Sequence, residues 1–319
     1  MIAGDIGMHV ESDRVNGQTG TEKSVYVVIP VFNRREYTRN CLASFQQQDT
    51  NNFQVLVVDD GSTDGTAEMI RQEFPETILL KGDGDLWWVG AINKGIRHAL
   101  TLCQDDDFIL VINDDLVVPS NYVLSLMKAA ESHPGSIIGS VETVNNAPNI
   151  IKSGGESINW RFAKWKVINK GEPLDQFPQG HVVEVESLTG RGTLFPSKVF
   201  REVGLYDEIH FKQCGDTELP LRASFKFGYS LLVSYDAVVI SYPGKKENIN
   251  DKETYALSDF KEYFFSIRSH FNLIDKYWIA HNIAPNNAWF IRFYFFVAGR
   301  TIGRYVTRLR IQISYRTQG

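Results

Sequence analysis

The acidic cluster Asn113-Asp114-Asp115 follows directly on the apolar run Phe108-Ile109-Leu110-Val111-Ile112. Such a run reads as a buried strand, and the carboxyl ends of strands are where open α/β sheets hold ligands. Two carboxylates delivered there repel each other and lose solvation, and a divalent cation bridged to a phosphate-bearing ligand would relieve both penalties. The same residue types also open turns and cap helices, and Pro119 and Ser120 just beyond suit the start of a helix. A second loop, Asp59-Asp60-Gly61-Ser62-Thr63-Asp64-Gly65-Thr66, sets carboxylates, hydroxyls and glycines between a strand and a helix. It can accept hydrogen bonds from a base or ribose and offer backbone N–H groups, or it can be a tight turn with an N-cap. The third is Gly82-Asp83-Gly84-Asp85-Leu86-Trp87-Trp88-Val89-Gly90, whose paired tryptophans either anchor a core or line a loop that a ligand approaches closely.

The elements that must position these loops alternate. Val25-Tyr26-Val27-Val28-Ile29 is a buried-strand run ended by Pro30, and a helix is expected from the polar turn at Asn33 through about Gln48. A strand at Val55–Val58, a helix near Ala67 to Glu73, a strand at Ile78–Leu80, a helix near Ala91 to Leu102 and the strand before Asn113 follow. Strands and helices joined by short connections through residue 140 predict βαβ units and a mostly parallel sheet with right-handed crossovers. After Pro134 the spacing becomes irregular and Gly, Asn and Trp are frequent, which predicts a mixed or antiparallel extension. Beyond it come a helix over 215–228, a strand pair or hairpin over 229–240, and one or two amphipathic helices over 253–283.

A chain of 319 residues with 22% charged and 43% hydrophobic residues can bury a large core. Its net charge of -5 argues against general nucleic-acid binding, which requires a basic surface. Cys41, Cys103 and Cys214 are odd in number and far apart, which suits reduced thiols of a cytosolic protein and supplies no zinc spacing. Residues 1–23 lack the apolar stretch of a secretory signal and read as a disordered leader. The first strand-helix turn lacks G-x-G-x-x-G, which disfavours a dinucleotide cofactor.

Five segments together resemble family 2 glycosyltransferases, the inverting enzymes with the GT-A nucleotide-sugar fold. They are Val27-Val28-Ile29-Pro30-Val31-Phe32-Asn33-Arg34, Val57 to Asp64, Trp87 to Gly95, Asn113-Asp114-Asp115, and Gly215-Asp216-Thr217-Glu218-Leu219 with Arg222-Ala223. The resemblance spans residues 25 to about 243 and implies an α/β, mostly parallel mixed sheet flanked by helices, with a helical C-terminal extension. Residues 24–245 would form the catalytic domain, with 24–140 binding the nucleotide-sugar and 141–245 the acceptor, and 246–319 would be the extension. It also implies site residues. Pro30 and Asn33 would border the nucleotide pocket, Asp60 would accept from the base, Asn93 would lie in the donor loop, and Asp114 would face ribose or sugar. Asp115 would bind a divalent metal, Mg2+ or Mn2+, through the diphosphate, and Asp216 would be the general base on the acceptor hydroxyl. Asp216 could instead cap a helix, Glu218 and Arg222 could be a surface ion pair, and His210 could be structural or touch the acceptor. Many relatives carry a histidine near the end of the strand Ala237-Val238-Val239-Ile240 that helps hold the metal; here the residue is Ser241.

From Asn286 onward the chain has six arginines, Arg292, Arg300, Arg304, Arg308, Arg310 and Arg316, and no acidic residue. Arg300, Arg304 and Arg308 would form one stripe on a helix carrying Trp289, Phe290, Phe293, Phe295 and Phe296 on other faces. Such a helix suits an anionic membrane surface, or packs on the catalytic domain with a solvated basic face. Trp160 and Trp165, flanked by Arg161, Lys164 and Lys166, could stack on an acceptor sugar or fill a core. The whole reads as a cytoplasmic, peripheral membrane enzyme of O-antigen or capsule synthesis. Its donor would be a UDP- or dTDP-sugar, dTDP-rhamnose among them, and its acceptor a saccharide or lipid-linked saccharide. A non-catalytic nucleotide-sugar-binding scaffold is the alternative. Nucleotidyl transfer would favour a glycine- and arginine-rich loop with a lysine after the first strand, which Ile29-Pro30-Val31-Phe32-Asn33 does not supply.

Overall fold

The computed structural model describes residues 23–242 and 249–316, with Asp251 and residues 310–316 as backbone alone. The leader expected over 1–23 therefore lies outside the described residues apart from Lys23, as do Pro243, Gly244 and the side chains of Arg310 and Arg316.

The first half alternates as its hydrophobic runs require. β1 (Val25–Val31), α1 (Arg35–Gln46), β2 (Phe53–Asp59), α2 (Thr66–Glu73), β3 (Ile78–Lys81), α3 (Trp87–Leu102) and β4 (Phe108–Val111) follow one another. β1 pairs in parallel with β2 and β4, and β2 in parallel with β3. Val28, Ile29, Leu56, Val57, Leu110 and Val111 are fully buried, as expected for a parallel sheet covered by helices on both faces. α3 starts at Trp87 instead of Ala91, so the tryptophans belong to the first turn of a helix and not to a free loop.

The second half supplies the antiparallel character. It comprises β5 (Leu116–Val117), α4 (Tyr122–Ser132), β6 (Ile137–Val144), β7 (Ala147–Ser153), the hairpin of β8 (Glu156–Asn159) and β9 (Lys164–Val167), and β10 (Val182–Glu184). β11 (Thr193–Pro196), α5 (Ser197–Glu202), α6 (Glu218–Phe227) and β12 (Leu231–Ser241) complete it. The main sheet runs β10-β12-β6-β11-β4-β1-β2-β3, with β5 on β12 and β7 on β6. β3, β2, β1, β4, β6 and β12 run one way, and β11 and β10 run against them. The strand pair expected over 229–240 is instead one strand. Its pairing with β6 slips between Ser234 and Val238, and that bulge carries the polar residues that read as a turn.

The C-terminal segment folds as α7 (Phe260–Phe265), α8 (Leu273–Ile283) and α9 (Asn287–Arg316). Phe293 and Val297 of α9 are buried against the main core. Trp160 packs on Phe293 at 5.7 Å between ring centroids and on Phe225 at 4.4 Å, and Trp165 lies 5.8 Å from Phe293. Both tryptophans therefore fill the seam between the hairpin and the extension. Arg300 Nε donates to the Phe162 carbonyl at 2.9 Å, Arg304 lies 4.7 Å over the Phe271 ring, and Arg308 donates to the Tyr255 hydroxyl at 2.8 Å. Ile291, Phe295, Ile302 and Val306 remain exposed along α9. Among the described residues no helix is long and apolar enough to cross a membrane.

Candidate active site

Loops from β1, β2, β3, β4 and the second half converge at the carboxyl edge of the parallel strands. Asn33, in the left-handed region at φ 53°, joins the first two: its Oδ1 accepts from Thr63 N at 2.8 Å, and its own N–H donates to Ser62 Oγ at 2.9 Å. Pro30 is buried in β1 opposite Val58. Asp60 is buried and accepts from Gly84 N and Trp87 N, each at 2.9 Å. It thus shapes the glycine-rich loop around its own carboxylate. Gly82 is obligatory there, because a Cβ would stand 2.5 Å from Asp60 Oδ1. Trp87 is held at φ 56°, where bulky residues are strained, and Arg268 from the extension lies 5.4 Å over its ring.

Asn93, expected in the donor loop, lies fully buried within α3. Its amide donates to the Tyr206 carbonyl and Glu208 at 2.9 Å each and accepts from Tyr206 N at 3.1 Å. Its polar atoms are consumed in tying α3 to the loop before α6. Its position inside the helix expected near Ala91 to Leu102 was legible; its partners Tyr206 and Glu208, remote in sequence, were not.

Asn113 accepts from Trp88 Nε1 at 2.8 Å. Asp114 is buried and paired with Arg34 at 2.7 Å. Burial pushes its carboxyl up to about 6, against the pull of Arg34. Asp115 is more open, and Arg34 and Arg191 each stand 3.5 Å from one of its oxygens. Asp216 precedes α6 and accepts from Gly190 N at 3.2 Å. It does not cap α6: Thr217 occupies the N-cap, without a side-chain capping bond. Glu218, by contrast, is fully buried, and Arg222 links it to the carbonyls of Val203 and Leu205. That pair is internal scaffold, not a surface ion pair. His210 Nδ1 donates to the Asp207 carboxylate, 2.7 Å away, and its ring stacks on Trp278.

Sequence reasoning missed four groups here. Arg34 and Arg191 face the acidic edge; Glu156 of β8 and Lys276 of α8 lie within the electrostatic reach of the Asp216 carboxylate. Burial raises the Glu156 carboxyl and lowers the Lys276 ammonium, the latter opposed by Cys214, Asp275, Glu156 and Asp216. Arg34 sat in a motif already singled out, and Arg191 between Gly190 and Gly192 carried a signal of its own. Nothing in the sequence brings α8 to Asp216.

The donor set suits a resident divalent cation poorly. Among the described residues no group of three or more His, Cys, Asp or Glu could hold a metal. Ser241 Oγ, where a third ligand would stand, donates to the Thr143 carbonyl and lies 3.3 Å from Lys152 Nζ. An ammonium beside that position and two guanidinium groups on Asp115 already supply the positive charge.

A mixed, mostly parallel sheet flanked by helices, with these loops at the carboxyl edge of its parallel strands, defines a GT-A transferase fold. The chain belongs to glycosyl transferase family 2, whose model matches residues 26–182. It is 26% identical over 60% of its length, and 68% of the other's, to an N-acetylglucosaminyl-diphospho-decaprenol L-rhamnosyltransferase of Mycobacterium tuberculosis. It is 26% identical over 71% of its length, and 65% of the other's, to the succinoglycan biosynthesis protein ExoA of Rhizobium meliloti. Among solved structures it is similar in fold to the mannosyltransferase PcManGT of Pyrobaculum calidifontis in complex with GDP-Man and Mn2+. There the TM-score is 0.55 at 16% identity, covering 92% of this chain and 76% of that one. GalNAc-T7 with UDP, GalNAc and Mn2+ gives a TM-score of 0.55 at 14% identity over 81% of this chain, which spans 50% of that one.

Proposed function

We propose that the chain is an inverting transferase that moves a sugar from a nucleoside diphosphate to an acceptor hydroxyl. The observation that carries this reading is that Gly190 N holds one carboxylate oxygen of Asp216 while the next residue, Arg191, stands 3.5 Å from Asp115, so one short loop ties the two carboxylates to the same site. A carboxylate so held can take the acceptor proton as the hydroxyl attacks the anomeric carbon, and attack in one step inverts that centre. Asn33, Asp60 and Pro30 border the space for base and ribose, Asp114 faces ribose or sugar, and Asp115 faces the diphosphate. The divalent-metal role expected for Asp115 has no preformed site behind it, so no step in this reading passes through a metal.

The rhamnosyltransferase and succinoglycan relatives support a place in surface-polysaccharide synthesis with a lipid-linked saccharide acceptor. The donor proposed with it is a UDP- or dTDP-sugar, dTDP-rhamnose included. The exposed Ile291, Phe295, Ile302 and Val306, spaced for one helix face, support a peripheral position on an anionic leaflet. Incubation with a panel of UDP-, GDP- and dTDP-sugars is expected to show binding or slow hydrolysis, with a nucleoside diphosphate as product. Silence across the panel from folded protein, or release of pyrophosphate, sinks the reading. Absence of the protein from pelleted anionic vesicles removes the membrane part alone.

A further inference from the structure

Between the acidic edge and Asp216 lies Thr189-Gly190-Arg191-Gly192-Thr193. The backbone here is pinned against the site. Gly190 approaches Trp88 so closely that a Cβ would stand 2.3 Å from the indole, and its N–H holds Asp216. Arg191 is consequently held between Glu142 and Asp115. Its Nε donates to Glu142 at 2.9 Å, and Glu142, buried, also pairs with Lys152 at 2.8 Å. Its NH1 stands 3.5 Å from Asp115, at the outer limit of a hydrogen bond. The guanidinium is thus aimed by Glu142 and only loosely engaged by Asp115, and its NH2 has no partner among the described residues.

We infer that Arg191 is a protein-borne cation for the donor's diphosphate, assisted by Arg34 and Lys152, and that nucleoside diphosphate binding therefore persists without a divalent metal. This rests on the proposed transfer reaction. A diphosphate approaching Asp114 and Asp115 meets repulsion that some positive charge must offset. A divalent ion held by Asp115 alone is one solution. The geometry instead presents a guanidinium whose planar fork matches phosphate oxygens and whose charge persists at any working pH. An anion arriving at Asp115 can take over NH1 and the unpartnered NH2 while Nε keeps its hold on Glu142, so binding requires no rebuilding of the loop. Arg34 approaches from the other side through NH2, 3.5 Å from Asp115, while its NH1 stays with Asp114. Lys152, beside Ser241, closes the ring of cations.

Calorimetric titration with UDP, GDP and dTDP, in EDTA and separately with Mn2+, tests this on the full chain. Wild-type protein is expected to bind at least one of the three in EDTA, with no more than a few-fold gain from Mn2+. Arg191→Ala should lose roughly tenfold to a hundredfold in EDTA, the scale of a lost charge-assisted contact, and recover much of that with Mn2+. Arg191→Lys, which keeps the charge without the fork, should fall between. A thermal melt of each variant reports folding. Wild-type binding that appears only with Mn2+ overturns the inference and leaves the transfer reading intact. So does an equal loss by Arg191→Ala in both buffers, which marks a merely structural arginine. If no diphosphate binds wild type in either buffer, the transfer reading fails first and the inference with it.

Discussion

The donor edge and the C-terminal extension both collect arginines, yet they use them in opposite ways. At the donor edge Arg34 and Arg191 lean on Asp115 at 3.5 Å and keep donors free in the cleft. In the extension Arg300 and Arg308 donate to a carbonyl and a tyrosine hydroxyl, and Arg304 lies over a phenyl ring. The stripe that sequence spacing offers to a membrane is therefore largely engaged within the molecule, while Ile291, Phe295, Ile302 and Val306 stay exposed. An arginine's role follows from what already occupies its donors, not from its place in a charge pattern. The carboxylates divide in the same way. Those at the donor edge have guanidinium or backbone N–H partners, whereas Asp275 in α8 is buried with only the neighbouring Lys276 to oppose the cost.

The sharpest way to break this contrast is to strike one residue from each region. Asp216→Asn removes the proposed base without changing shape, and transfer should fall about 10²–10⁴-fold, the usual scale of general-base catalysis. Nucleoside diphosphate affinity should hold, because in the proposed reaction Asp216 acts on the acceptor hydroxyl and not on the diphosphate. Comparable transfer by the variant removes Asp216 from that role. Phe293→Ala empties the seam between Trp160, Trp165 and Trp289 and should cost about 3–5 kcal/mol, the range for a large aromatic deleted from a core. Urea unfolding measures it, and an unchanged midpoint means the extension does not depend on that seam.

Much of the first region was legible in the sequence because strand ends announce themselves. Continuous β-branched runs stop at Asp59, Asn113 and Pro30, and period and turn chemistry place those stops at one sheet edge. The helix starting at Trp87 was not legible, since Gly82 and Gly84 signal a loop and no capping residue marks the turn; the carboxylate of Asp60, remote in sequence, organises that helix start through Trp87 N. The bonds of Asn93 to Tyr206 and Glu208 were not legible either, because those partners lie more than a hundred residues away in the chain. In the second region the aromatic content was plain, but which rings meet is a matter of long-range packing. Trp160 and Phe293 are far apart in the chain, and a single sequence holds no record of their pairing. Arg191 shows the limit most clearly: its flanking glycines invite notice, while its link to Glu142 exists only once β6 and the loop before β11 are side by side.

A smaller effect sharpens the contrast between the two buried carboxylates. Burial lifts both, but Arg34 opposes the lift at Asp114, which reaches about 6, while Asp275 reaches about 7. An aspartate whose folded pKa lies above its unfolded value of 3.8 stabilises the fold when protonated. That contribution is complete below about 3.8 and is lost as pH rises through about 7, so at pH 8 the fold carries the cost of a buried charge at Asp275. Asp275→Asn, of nearly the same shape and permanently neutral, removes that cost. No side-chain hydrogen bond of Asp275 is lost among the described residues, because its only such contact is its backbone N–H on Asn272. The variant should therefore melt a few degrees higher than wild type at pH 8, with the gain shrinking as pH falls below about 7, clearly smaller at pH 5 and gone only below about 3.8. A gain that persists unchanged at pH 5 would trace to packing or helix propensity instead of charge. A variant that melts lower at pH 8 would show that Lys276 and the ionised Asp275 hold each other in place, and that the extension, like the donor edge, pairs its buried charges.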